Sequence, residues 1–95
     1  MSEIVITRED GSSGGRYATT INGDEAEMTY SRAGTNRIII DHTGVPDSMR
    51  GLGVGKKLVE AAVKDARKEN FKIIPLCPFA KATLEKTPEW QDVVQ

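Results

Sequence analysis

The 95-residue sequence predicts a mixed α+β fold: a four-strand antiparallel meander, a long helix, a parallel fifth strand and a short C-terminal helix. Three observations carry that expectation. Up to Asp41, β-branched segments with apolar–polar alternation are broken by turn-forming residues, as strands are. From Val54 the apolar period lengthens to that of a helix. After Asn70 a β-branched run, Lys72 to Leu76, returns to the sheet. A strand–helix–strand run of this size closes as a right-handed crossover with at least one parallel pairing, and its helices cover the sheet.

Each element has a local reason. Glu3 to Arg8 sets Ile4 and Ile6 against Val5 and Thr7 and is expected as a strand. Glu9 to Gly15, containing Asp10-Gly11-Ser12-Ser13-Gly14-Gly15, is expected as a mobile turn with no apolar anchor. Arg16 to Ile21 and Glu25 to Ser31 flank Asn22-Gly23, a pair that accepts the positive φ of a tight hairpin. The third strand puts Ala26, Met28 and Tyr30 on one face. After the turn Ala33-Gly34-Thr35-Asn36, the strand Arg37 to Asp41 is built on Ile38-Ile39-Ile40, a run expected in a central strand covered on both faces. Pro46 extends Val45 in the following loop. Val54, Leu58, Ala61, Ala62 and Ala66 fall at helical spacing, Lys56, Lys57, Glu60, Lys64 and Lys68 lie largely opposite, and Asn70 closes the helix. Pro78 opens the short helix that runs to Lys86. Thr87-Pro88-Glu89 repeats that start, and Trp90, Val93 and Val94 form a last apolar patch.

Composition narrows the function. The chain is expected to be a single domain, with no internal repeat or linker. A net charge of -1 argues against nucleic-acid binding through bulk charge. No apolar run approaches the roughly 20 residues that cross a bilayer, and the first residues lack a signal-peptide pattern. One cysteine fits a reducing compartment, so the expectation is a cytoplasmic protein without a membrane partner. One Cys and one His argue against a structural metal site. A monomer is the default, with an exposed Trp90 patch as the route to a dimer.

The most informative stretch is Arg50-Gly51-Leu52-Gly53-Val54-Gly55, set between a strand and a helix. Glycines there leave main-chain N–H groups open, at the positive end of the helix dipole, where an anion such as a phosphate is favoured. A plain connecting turn is the competing explanation. The Walker A loop does not fit, because Gly51 and Gly55 enclose three residues and Lys57 stands where Ser or Thr is needed. The dinucleotide fingerprint does not fit either, since its third glycine lies three positions beyond the second. The spacing Arg-x-x-Gly-x-Gly does fit, through Arg50, Gly53 and Gly55, and here the chain resembles the GNAT superfamily of acetyl-CoA-dependent N-acetyltransferases. The likeness extends to a minimal subfamily through His42-Thr43-Gly44-Val45, Leu58-Val59, Pro75-Leu76-Cys77-Pro78-Phe79 and the tail Pro88-Glu89-Trp90-Gln91-Asp92.

That resemblance implies acetyl-CoA, or coenzyme A, as the cofactor and an amine as the acetyl acceptor. It implies contacts from Thr43, Val45, Arg50, Gly51, Leu52, Gly53, Val54 and Gly55, with Lys56 or Lys57 near a phosphate and Phe79 beside the pantetheine arm. Solvated surface is the competing account of the two lysines, and core packing that of Phe79, Phe71 and Trp90. Asp41 and Asp47 would repel phosphates and are expected to point away. His42, with an unperturbed pKa of about 6.5, is a workable base where the fourth strand ends; a bond to a neighbouring carbonyl would be its structural role. Cys77, before Pro78, is expected at a helix N-cap, which favours a thiolate. It would accept the acetyl group or protonate departing coenzyme A, against the alternative of a small buried core residue. A GNAT-like sheet would set Cys77 across a strand gap from His42. Larger GNAT enzymes carry helices between their first two strands that shape the acceptor site, and Glu9 to Gly15 is too short for one. An acetyl-CoA-binding module with little or no catalysis of its own is therefore the alternative to an N-acetyltransferase.

Overall fold

The structure is a computed structural model that describes residues 4–49 and 51–95, so Glu3 and Arg50 lie outside the described residues. Strands β1 (Thr7–Asp10), β2 (Gly14–Ile21), β3 (Asp24–Ala33) and β4 (Arg37–Gly44) form an antiparallel meander. Helix α1 (Val54–Glu69) then crosses to β5 (Lys72–Pro75), which pairs parallel to β4. Neighbours in sequence are neighbours in the sheet. Helix α2 (Pro78–Glu85) and a 3₁₀ segment, Pro88–Val93, complete the chain. No helix among the described residues is long and apolar enough to cross a membrane.

The core lies on one face of the sheet. Tyr17, Ala26, Met28, Tyr30, Ile38, Ile40 and Ile73 meet Val54, Leu58, Val59, Ala62, Val63 and Ala66 of α1 and Ala80 and Leu84 of α2. Ile39 is only half-buried beside its fully buried neighbours. The isoleucine run is therefore covered on one face, not two, because both helices pack against the same side. Asn70 takes the left-handed conformation (φ 60°) that ends α1, and the Phe71 N–H bonds back to the Ala66 carbonyl at 3.0 Å.

Two other expectations change. The first strand lies later than expected, and most of the expected mobile turn is strand: Glu9 pairs with Arg16 and Asp10 with Gly15, leaving residues 11–13 as the connection. Its anchor is polar. Arg32 donates to Asp10 at 2.5 Å and to the Gly11 carbonyl at 3.0 Å, and the Tyr30 hydroxyl also bonds Asp10. The strand is pinned to α1 by Arg8, which bonds Asp65 (3.1 Å) and Glu69 (2.6 Å) and whose guanidinium carbon lies 5.5 and 5.6 Å from the Tyr17 and Tyr30 ring centres. Burial and the bond to Asp65 push the Tyr17 phenol well above its ordinary range, keeping it a neutral donor. The second change concerns Trp90, which is 7% exposed and belongs to the core, so it offers no exposed dimer patch. Arg67 ties its segment to α1 through Asp92 (2.8 and 3.1 Å).

The β2–β3 register, in which Gly14 pairs with Ser31, gives a direct test. A methyl group at Gly14 would stand 2.3 Å from the Tyr30 carbonyl oxygen. Gly14→Ala should therefore lower stability to urea by about 1–3 kcal/mol, the usual cost of overpacking. A wild-type unfolding midpoint for this variant would overturn the register.

Candidate active site

The site begins with an irregularity in β4. Tyr30 pairs with Ile40 and Thr29 with His42, so Asp41 is an extra residue, a β-bulge. Side chains alternate along a strand, so one extra residue inverts the faces that follow. Thr43, opposite Met28, turns toward the core side; His42, opposite Thr29, turns outward and is exposed. Asp41 accepts a bond from Ser31 at 2.6 Å, directing it away from the helices. The β4–β5 ladder stops at this point. The Ile40 carbonyl accepts from both Leu76 (3.2 Å) and Cys77 (3.1 Å), and the two chains diverge beyond it.

Cys77 is the N-cap of α2, with Pro78 in the first turn. Its side chain is buried, and Sγ lies 3.4 Å from Thr43 Oγ1. Burial pushes the thiol up. Hydrogen bonds with the Thr43 hydroxyl and with the main chain of Ala80, Phe79 and Thr43 outweigh it, so the thiol titrates below its ordinary range. The bulge alters the expected pairing: Thr43, not His42, meets the sulfur, and His42 occupies the other face of β4. His42 Nε2 lies beside Gly44, where a methyl group would stand 3.4 Å from it.

The glycine loop is held at its entry by Met49, which is buried, and by Ser48, which donates to Asp24 at 2.6 Å. Gly51 (φ 84°) and Gly53 (φ 74°) then adopt left-handed backbone that side chains disfavour. Gly53 is the N-cap of α1 and makes no side-chain cap. The Lys57 N–H bonds the Gly53 carbonyl at 3.1 Å, so the amides of Gly55 and Lys56 open the helix ahead of that bond.

Beside this helix start runs a groove of about 390 Å³, within the range of small-ligand sites. Val45, Met49, Gly51, Gly53, Val54, Gly55, Lys56 and Phe79 line one part of it. Phe79 is 42% exposed, whereas Phe71 and Trp90 are core residues. The two lysines separate: Lys56 lines the groove with Nζ 5.9 Å from the Trp90 ring centre, and Lys57 lies 3.6 Å from Glu60. Thr43, Leu52 and Lys57 do not line the groove; Thr43 is held at Cys77 instead. Thr83, Lys86 and Thr87 do line it and were not expected. Steps of three and four residues from Phe79 group them on one side of α2 and of the turn after it, although the spacing alone does not say which way that side faces. No group of three or more His, Cys, Asp or Glu among the described residues could hold a metal ion.

Known proteins resemble this chain in sequence and in fold. The family model for GCN5-related N-acetyl-transferase matches residues 16–93. Protein NATD1 of Xenopus tropicalis is 29% identical over 75 residues, covering 77% of this chain and 69% of its own length. Protein NATD1 of Homo sapiens is likewise 29% identical over 75 residues, covering 77% of this chain and 66% of its own. A solution structure of a GCN5-like protein from Staphylococcus aureus superimposes with a TM-score of 0.73 at 44% identity, covering 94% of this chain and 87% of that one. The fold is thus a shared one, and the chain belongs to the GCN5-related N-acetyltransferase family.

Proposed function

We propose that the protein binds acetyl-CoA in the groove between the start of α1 and α2, and that it transfers the acetyl group to an amine. One observation carries the reading: a single groove joins helix amides without intrahelical partners, an apolar wall and the cation Lys56. A ligand with phosphates at one end and a slender apolar arm matches that sequence of surfaces. Gly53, Val54, Gly55 and Lys56 would hold the phosphates, and Val45 and Phe79 would flank the arm. Lys86 adds a second cation at the groove.

The bound molecule supplies an acetyl group activated as a thioester. Cys77, held as a thiolate, would be the residue to accept that group, its sulfur bonding the carbonyl carbon with loss of coenzyme A as the leaving thiolate. The acceptor amine then bonds the same carbon and displaces Cys77, and His42 removes the proton that the amine must lose. His42 and Cys77 lie on opposite faces of β4, so amine and cofactor approach from different sides of the strand divergence. A second reading, an acetyl-CoA-binding module with little catalysis of its own, is favoured by the β1–β2 connection. Residues 11–13 leave no room there for a helix that would shape an acceptor site.

Calorimetry tests binding first. The wild type should bind acetyl-CoA, and Gly53→Val and Gly55→Glu should each weaken it at least about tenfold, or about 1.4 kcal/mol. A wild type that does not bind removes both readings. Mass spectrometry after exposure to acetyl-CoA should find an acetyl adduct that is lost in Cys77→Ser; if none forms and Cys77→Ala retains full activity, the covalent route is wrong. Thiol release in the presence of amines, polyamines and lysine peptides separates the transferase from the binding module.

The thiol environment has its own test, independent of the cofactor. The rate of Cys77 alkylation against pH should show a midpoint lower than that of an ordinary free thiol. Removing the hydroxyl in Thr43→Val should raise that midpoint and slow alkylation at neutral pH, while Thr43→Ser should stay close to wild type. Equal profiles for Thr43→Val and wild type would show that Thr43 does not support the thiolate.

A further inference from the structure

Gly55 is present for a spatial reason. It does not adopt positive φ, unlike Gly51 and Gly53, so its backbone would accept a side chain. Inside a helix glycine is less favourable than alanine by roughly 1 kcal/mol. A methyl group at Gly55 would, however, stand 2.4 Å from Phe79 Cζ and 2.8 Å from Cε2. The ring of Phe79 therefore rests directly on the main chain of the first turn of α1. An aromatic ring recruited for stability would be buried, as Phe71 and Trp90 are at 6% and 7% exposure. Phe79 keeps 42% of its surface exposed and lines the groove.

We infer that Gly55 and Phe79 are an interlocked pair that sets the width of the groove, with the exposed side of the ring acting as the wall for a slender chain-like part of the ligand. Under the proposed function, on which this inference rests, that part is the pantetheine arm. Phe79 is then a specificity-determining residue, and Gly55 is a positioning residue that acts through it. The role of this glycine is to seat a ring, in addition to leaving an amide open at the helix start. Because the phosphates would meet the amides and Lys56, the two parts of the ligand are separable by experiment.

The test titrates the full chain with acetyl-CoA and with an adenosine bisphosphate that lacks the arm. Gly55→Ala and Phe79→Ala should each weaken acetyl-CoA by about tenfold, and the double variant should be no weaker than Phe79→Ala alone, since coupled residues are non-additive. Bisphosphate affinity should change less than about twofold in Phe79→Ala, which also shows that this variant is folded. If Gly55→Ala costs as much without the ring as with it, or if Phe79→Ala weakens both ligands alike, the inference is overturned. A wild type that binds neither ligand removes the proposed function as well; a wild type that binds acetyl-CoA while the two substitutions act additively removes the interlock alone. Should the bisphosphate not bind measurably, the cycle on acetyl-CoA decides.

Discussion

The carbonyl of Ile40 organises the site. It takes hydrogen bonds from two successive amides, Leu76 and Cys77, and the parallel ladder ends there. A further residue of β5 paired beyond it would have continued the sheet where Cys77 and Thr43 now meet. Instead the chain turns at Pro78 into α2, and one residue further along β4 the bulge at Asp41 inverts the strand. These two events, adjacent in space, put a sulfur and a hydroxyl on one face of β4 and an imidazole on the other. Neither requires a long insertion, which is how a chain of 95 residues can carry such a site.

This arrangement gives the histidine and the cysteine unequal surroundings. Cys77 is nearly enclosed, touches Thr43 and caps a helix, so its charged form has several donors around it. His42 is exposed on a sheet face that no helix covers. The same face carries Arg16, which pairs with Glu9, Glu25 and Glu27 at 3.1, 3.0 and 2.8 Å. Such exposed pairs contribute little stability individually, and here they leave the face polar and open beside β4.

Much of the fold was legible in the sequence because short-range signals decided it. Asn22-Gly23 set a hairpin, the change of period at Val54 set α1, and Asn70 ended it. What escaped was decided by contacts between distant residues. The β1–β2 connection looked mobile because its anchor is Arg32 and Tyr30, some twenty positions away on β3. Asp41 gives no local sign of a bulge, so the side chain that reaches Cys77 was misjudged by one position, enough to exchange His42 for Thr43. The glycine loop announced a ligand site, and α2 supplies a wall of it. Thr83, Lys86 and Thr87 were not foreseen, since helix-face spacing alone does not tell which way a short helix faces. Arg50 lies outside the described residues. The tail motif around Trp90 proves to be largely structural: Trp90 packs in the core and Asp92 holds Arg67.

The last residues have one more effect. Val94 bridges to Ile73, and the Gln95 N–H bonds the Ile73 carbonyl at 2.9 Å, so the outer side of β5 is occupied by the chain itself. At the opposite margin, β1 has four residues and presents Arg8, Glu9 and Asp10. A sheet margin with free amides and carbonyls invites strands from other molecules, and short, charged or self-covered margins discourage it. The sheet is thus protected against uncontrolled lengthening at both sides, although one of its broad faces is uncovered. Extensions attached after Gln95 that pull Val94 away from Ile73 would expose an apolar parallel strand and favour aggregation.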